Sequence, residues 1–284
     1  MLFFYYELKQ LGVKNIYYLP LAVNTDRLNS QLNSQTREEK DRFSADISFV
    51  GSMYHKNSYD DIKDKLPPYL RGYFDAAMLA QLNIYGDNII DELLTVDILK
   101  QLSEFVDFRQ DKRAFSDIRL VFESTFLGFK LANIERVRTL NLLAKKNKVA
   151  LYTDEQDTSL INVDFKGTVD YMNDMPKVFN NSSINLNMTI RNIRTGIPLR
   201  VWDILGAGGF LLTNYQIELT DYFKNEESIV YYEDMYDCCK KAEYYLLHED
   251  KRRQIAAKGH ELVSKKHSYI NRVKYILDVI GKMS

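Results

Sequence analysis

Apolar residues fall along this chain in two alternating rhythms. Short runs rich in β-branched and aromatic residues, at 15–19, 46–50, 148–152, 163–166, 184–188, 210–213 and 229–232, have the length and content of buried strands. Between and beyond them apolar positions recur every three or four residues, and the end of the chain reads as three helices at 234–247, 250–265 and 268–280. Strands separated by helices predict an α/β protein with a parallel, doubly wound sheet.

The stretch 64–147 breaks that alternation. Pro67 and Pro68 open a helical pattern over 69–82, and Thr95 is placed to cap a helix over 96–105. Residues 115–144 carry Ile118, Val121, Phe122, Phe126, Phe129 and Leu131 with charges between them, enough for two helices or one extended one. An all-helical insertion into the α/β domain is the expectation. Residues 29–40 are polar around a lone Leu32 and predict a linker or long loop.

Charge narrows the partners. With 38 Lys and Arg against 39 Asp and Glu, the net charge of −1 supplies no global field toward nucleic acid or an acidic bilayer, so any anion site has to be local. The cysteines, Cys238 and Cys239, are neighbours that cannot form an unstrained disulfide, which fits a reducing, cytoplasmic setting. The apolar opening at 1–6 is too short for a signal or transmembrane segment. His55, His248, His260 and His267 show no metal-ligand spacing, so no structural metal is expected.

In an open α/β sheet, ligands gather beyond the carboxyl ends of the strands, which directs attention to the loops after Val50, Met188 and Thr213, the first two of them unusual. The run 46–50 leads into Gly51, Ser52 and, before a helix capped by Asn57 or Ser58, Lys56. Such a turn suits phosphate through its N–H groups and the lysine, and it equally suits a plain turn. The run 184–188, with Asn187 near its end, opens into a loop holding Arg191, Arg194 and Gly196 and no acid; Pro198 then suits the first turn of a helix carrying Arg200 and Asp203. The three arginines and the helix N-terminus make either a diphosphate cradle or a solvated patch in which Arg200 pairs with Asp203. Asp203 is either an ion-pair partner or a carboxylate for ribose hydroxyls.

Read continuously, residues 184–214 (INLNMTIRNIRTGIPLRVWDILGAGGFLLTN) are similar to the C-terminal domain of CgeB-type glycosyltransferases, a family named after a spore maturation protein. NIYYLPLAVNTDRL, DISFVGSMYHKN and FKGTVDYMNDMPKVFNNSSINLN resemble its interdomain crossing, first strand and later core, so the resemblance covers most of the chain. It implies the GT-B architecture, two Rossmann-like domains around a cleft, with the N-terminal domain largely missing here. On that reading 1–40 is a remnant of the N-terminal domain and the crossing, 41–63 with 148–284 form the Rossmann-like nucleotide-sugar-binding domain, and 64–147 is the helical insertion.

The donor contacts the resemblance implies are Gly51, Ser52, Lys56, Asn187, Arg191, Arg194, Gly196, Arg200 and Asp203. Ser52 stands where many relatives carry an arginine. Asp203 matches the second carboxylate of the wider group's Glu-x7-Glu element, and Thr195 stands where the first would fall. The implied activity is metal-independent transfer of a sugar from a nucleoside-diphosphate donor, a UDP-sugar first among candidates, to an unknown acceptor, with no cofactor and no catalytic base nominated. A non-catalytic sugar-nucleotide-binding or structural role, or an inactive fragment of a longer enzyme, are the alternative readings. The resemblance further implies a last helix that crosses back toward the N-terminal side and buries Tyr269, Val273, Ile276 and Ile280.

Overall fold

The computed structural model describes residues 2–106, 118–193 and 195–283. The chain opens with helices α1 (Leu2–Gln10), α2 (Thr25–Asn33) and α3 (Arg37–Phe43), then enters strand β1 (Ala45–Val50). Helices α4 (Ser58–Ile62), α5 (Pro68–Gln81), α6 (Ile90–Leu93), α7 (Val96–Leu102) and α8 (Ile118–Val121) follow, the last running through a wider π turn, Phe122–Leu127, into α9 (Gly128–Leu143). Strands β2 (Val149–Tyr152) and β3 (Val163–Phe165) precede α10 (Met175–Asn181) and β4 (Ser182–Asn187). The remainder is α11 (Leu199–Gly206), β5 (Leu211–Asn214), α12 (Leu219–Tyr222), β6 (Val230–Tyr232), α13 (Met235–Leu247), α14 (Glu249–Lys266) and α15 (Tyr269–Met283).

All six strands are parallel, in the order β3-β2-β1-β4-β5-β6. Helices cover both faces of the central strands, and β2 and β5 are buried throughout, as are the polar Ser48, Asn185 and Asn187 of β1 and β4. On one face α9, α13 and α14 pack Leu140, Tyr245 and Ile255 with Phe49, Leu151, Ile184 and Leu212. On the other, α10 and α11 pack Phe179, Trp202 and Leu205 with Val50, Tyr152 and Leu211. A third core joins Tyr59, Phe74, Ile98 and Phe122 to Leu131. Residues 64–147 therefore divide: α5 to α7 and the π turn, together with α4, build a core of their own, while α9 belongs both to that core and to the sheet, where it is the crossover from β1 to β2.

The starts of several helices follow from their caps. Thr95 accepts from Ile98 N at α7, Asn57 from Asp60 N at α4, and Asp234 from Tyr236 N and Asp237 N at α13. Of the two readings of 115–144, two helices or one extended one, the structure has the extended one, continuous from Ile118 through the π turn, with 115–117 outside the described residues.

Three expectations are corrected. Residues 15–19 form no strand: Asn15 has φ +58°, and Tyr17 and Leu19 are exposed. Both edges of the sheet are held by other strands; within this run the Tyr18 hydroxyl donates to Glu218, and just after it the carbonyls of Pro20 and Leu21 accept from Arg272 of α15, each at 2.9 Å. Residues 29–40 are not a loop but mostly helix, belonging to α2 and α3. Their anchors lie at the edges of the polar stretch: Leu28 and Phe43 are buried in the core, and Thr36 with Glu39 forms a capping box. Finally, α15 is not buried along its apolar face; Tyr269, Val273 and Ile280 are each more than half exposed and Ile276 is 41% exposed. Its fixed contacts run instead through Arg272. Among the described residues no helix is long and apolar enough to cross a membrane.

The junction of α11 and β5 is tight. A Cβ on Gly209 would lie 2.5 Å from the Phe179 carbonyl oxygen and 2.6 Å from the Asn185 amide nitrogen, so only glycine fits. Gly209→Ala is expected to cost about 1–3 kcal/mol, read as a lowered urea midpoint. Gly72→Ala, where the added carbon meets nothing within 4 Å inside α5, should leave stability unchanged or raise it.

His267, nine-tenths buried among Trp202, Tyr222 and Phe223, accepts at Nδ1 from Arg272. Burial, with the Arg272 charge beside it, pulls its pKa down to about 4. The unfolded chain thus takes up this proton near pH 6.5 while the folded chain refuses it until about 4. Its contribution is complete above pH 6.5 and is lost as pH falls toward 4, by about 3 kcal/mol. A His267→Phe variant should show a flatter stability profile across that window in chemical denaturation.

Candidate functional site

From β1 the chain crosses toward β2 and β3, and from β4 it crosses the opposite way, so the strand order reverses between β1 and β4. In such sheets that switch point opens a crevice at the carboxyl ends of the two strands. Here it is occupied by side chains of α9. The buried stripe of this helix contains Leu131, Ala132, Leu140 and Leu143, and interrupts them with Glu135 and Arg136, at 2% and 7% exposure. Burying either charge without partners would cost several kcal/mol, so their neighbours decide the local structure.

Arg136 reaches the switch point itself. Nη1 donates to the Ser52 carbonyl just beyond β1, and Nη2 to the Met188 carbonyl just beyond β4 at 2.7 Å. The guanidinium lies 4.9 Å from the Tyr54 ring centre and 5.2 Å from that of Phe49. Its Nε has no hydrogen-bond partner among the described residues, and burial pulls its pKa below the usual arginine value. Glu135 turns to Arg191 instead, accepting from Nη2 at 2.8 Å and from the Tyr85 hydroxyl at 3.1 Å. The Arg191 guanidinium sits 3.5 Å from the Tyr85 ring centre, and burial holds the Tyr85 phenol protonated. Two buried cations therefore face one buried carboxylate, leaving a surplus positive charge beneath the crevice.

The residues singled out by sequence are spread over several environments. Gly51 and Ser52 sit at the end of β1, where a Cβ on Gly51 would meet only the Phe49 ring at 3.4 Å, so space does not demand glycine. Lys56 is exposed and its Nζ donates to Glu155 at 2.7 Å, next to His55 on the same carboxylate. Asn187 is buried and bonds the hydroxyls of Thr189 and Thr213. Gly196, at φ +113°, turns the loop toward α11, which begins at Leu199 with Pro198 as the residue before it. Arg194 lies outside the described residues.

Arg200 and Asp203 form a separate group. Arg200 bonds the Met175 sulfur, stacks 5.4 Å from the Phe179 ring and stands 3.5 Å from Asp203 Oδ2. Asp203 accepts from the Tyr171 hydroxyl at 3.1 Å, and burial raises its pKa. Together with Arg27 and Tyr171 it lines a small pocket between α2, the loop after β3, and α10. Among the described residues Arg191 and Arg200 share no hydrogen-bond partner. Among the described residues no three His, Cys, Asp or Glu side chains gather as a metal site.

Sequence reasoning missed Glu135 and Arg136. The available signal was a pair of opposite charges on the apolar stripe of an otherwise regular amphipathic helix, Leu131 to Leu143.

Residues 134–278, beginning within α9 just ahead of that pair, match the model of a family described as glycosyl transferase-like. No curated protein matches the chain. Solved structures similar to it include TarM of S. aureus (13% identity, 65% of this chain and 42% of that one, TM-score 0.42). They also include Anabaena Alr3699/HepE in complex with UDP-glucose (12%, 51% and 44%, 0.42) and a glycosyltransferase from Rickettsia africae ESF-5 (11%, 96% and 60%, 0.46). The chain spans less than two thirds of the length of each of these.

Replacing Glu135 by Ala strands Arg191 in the interior and is expected to cost about 3–5 kcal/mol. Adding Arg191→Met should recover much of that loss. A double-mutant cycle in urea measures both; strictly additive losses would mean that the two charges do not hold each other.

Proposed function

Since the chain belongs to the glycosyl transferase-like family, we propose that it binds a nucleoside-diphosphate sugar over the carboxyl ends of β1 and β4 and transfers the sugar to an acceptor. The surplus positive charge of Arg136 at the switch point carries this reading. A buried guanidinium that donates to two carbonyls and lies against the Tyr54 and Phe49 rings has no carboxylate bonded to it among the described residues, and a diphosphate supplies the charge it lacks. UDP-sugars are the leading donor class, and the CgeB-type branch of the family is the one whose motif 184–214 resembles. The adjacent free cysteines fit work in the reducing cytoplasm.

In the transfer, the bond between the anomeric carbon and the diphosphate oxygen lengthens, positive charge spreads over the ring, and negative charge collects on the departing diphosphate. Cations fixed in place before the reaction stabilise that charge without reorganising. Arg136 acts through its field from below, and Arg194, on the loop after β4, is proposed to reach the phosphates directly. Asp203, close to Tyr171, is proposed to hold ribose hydroxyls. Gly51, Ser52, Asn187 and Gly196 shape the rim, and no metal enters this scheme.

A second reading, binding without turnover, has its own support. Lys56 is engaged by Glu155, Arg191 is engaged by Glu135, and Thr195 stands where a carboxylate would hold the donor in the wider group.

A thermal-shift series with UDP, GDP, dTDP and CMP tests the donor site, because a ligand at a hundredfold its dissociation constant stabilises by about 2.7 kcal/mol. One diphosphate should raise the midpoint clearly, and no shift with any of them in folded protein would sink the proposal. Arg194→Ala is expected to weaken the responding nucleotide by about 1–3 kcal/mol while leaving the melting temperature of the free protein in place. Turnover of the matching sugar nucleotide then separates the enzyme from the binding protein.

A further inference from the structure

The loops that leave β1 and β2 face each other at the carboxyl ends of the strands, one basic and one acidic. Tyr54, just beyond β1, holds φ +50°, a conformation costly for a bulky side chain. The turn is built to keep it there. The Tyr54 ring stacks on Phe129 at 4.6 Å and lies 4.9 Å from the Arg136 guanidinium, while the buried Asn57 amide donates to the Tyr54 carbonyl at 3.1 Å. His55 and Lys56 follow on that fixed turn. The opposite loop is held as well: buried Asp157 accepts from Ser159 N at 2.9 Å and from Asn133 at 3.2 Å. The same Asn133 amide donates to the Met53 carbonyl at 3.0 Å, so α9 sets the spacing of the two loops.

Between them one carboxylate takes both basic side chains. Glu155 Oε1 accepts from Lys56 Nζ at 2.7 Å, and Oε2 lies 2.6 Å from the same nitrogen and 2.7 Å from His55 Nε2. Lys56 and His55 hold this carboxyl below the usual carboxylate range. The neighbouring acids are engaged elsewhere, Asp154 by the Thr153 hydroxyl at 3.0 Å and Asp157 by Ser159 and Asn133. Glu155 is therefore an anion already seated at the end of β1, on two groups of the kind that bind phosphate. Its seat is loose. The Glu155 and Lys56 side chains are 48% and 77% exposed, and an ion pair so open to water holds weakly. A diphosphate brings more charge to the same turn, where Arg136 bonds the Ser52 carbonyl and adds its field.

We propose that Glu155 occupies, in the free protein, the place of a donor phosphate beside His55 and Lys56, and swings away when the diphosphate binds. The inference rests on the donor-site reading above. It makes the loop after β2 a selectivity element: a ligand has to out-compete an internal carboxylate, so a weakly charged one is turned away. It also gives the engagement of Lys56 by Glu155 a meaning within a working donor site.

The test is a double-mutant cycle in ligand affinity. Calorimetry gives the dissociation constants of UDP, GDP and dTDP for the wild type, Glu155→Gln, Lys56→Met and the double variant. Removing the acid should tighten the responding diphosphate by up to about fivefold, the upper range for an exposed ion pair. Lys56→Met should weaken binding by about tenfold when Glu155 is already Gln, the loss of a charge-assisted hydrogen bond, and by only about twofold otherwise. Glu155→Gln should accordingly gain nothing in the Lys56→Met background. Both side chains are exposed, so the variants should melt with the wild type; if Glu155→Gln fails to fold, Glu155→Ala takes its place in the cycle. No tightening, or equal tightening with and without Lys56, overturns the inference and leaves the donor site standing. A wild type and a Glu155→Gln variant that both bind none of the three nucleotides overturn the two together.

Discussion

One guanidinium joins the two halves of the sheet at their carboxyl ends. Arg136 takes the last carbonyl beyond β1 with one nitrogen and the one beyond β4 with another, so the width of the crevice is set by the span of a planar, rigid fork. A lysine could neutralise the same region but could not fix two backbone points at once. Much else follows from that contact: α9 has to lie flat on the sheet for the arginine to reach, Glu135 is carried into the interior beside it, and Arg191 and Tyr85 are recruited to compensate Glu135. Architecture and electrostatics at this end of the molecule are one arrangement.

The same arrangement explains how the helical segment and the sheet communicate. Tyr85 comes from the α5–α6 loop, Glu135 from the crossover helix and Arg191 from the loop after β4, and all three meet in one buried cluster. The π turn at Phe122–Leu127 adds a second tie, where Asn192 donates to the Ser124 carbonyl at 3.5 Å and lies against Gly128. Such widened turns often mark places where a helix has been adjusted to meet something outside it. Here the neighbour is the loop after β4.

How far the sequence disclosed this depended on whether an element is specified locally. The six strands were legible as short runs rich in β-branched and aromatic residues set between helical patterns, and the cap at Thr95 placed the start of α7 to the residue. The polar run 29–40 misled because its anchors, Leu28 and Phe43, fall around the stretch that was weighed rather than at its middle. The run 15–19 misled because strand composition cannot say whether a sheet edge is free to receive it. That loops follow β1 and β4 at their carboxyl ends was legible from the alternation of strands and helices. The partners of their cations were not, since Glu135 and Glu155 are far from Arg191 and Lys56 in sequence and only folding brings them together.

The length of the first crossover carries a consequence for assembly. β1 pairs with β2 only after residues 51–148 have been spanned, and closing so long a loop of disordered chain is slow. The segment shortens its own path, because Tyr59, Phe74, Ile98, Phe122 and Leu131 form a core from contacts within that stretch. Once this helical core has condensed, α9 is presented to the growing sheet and the effective loop is far smaller. The crevice, which needs both strand ends and the arginine between them, is then among the last features to take shape, and a chain whose helical core forms slowly would lose this crevice before it lost its helices.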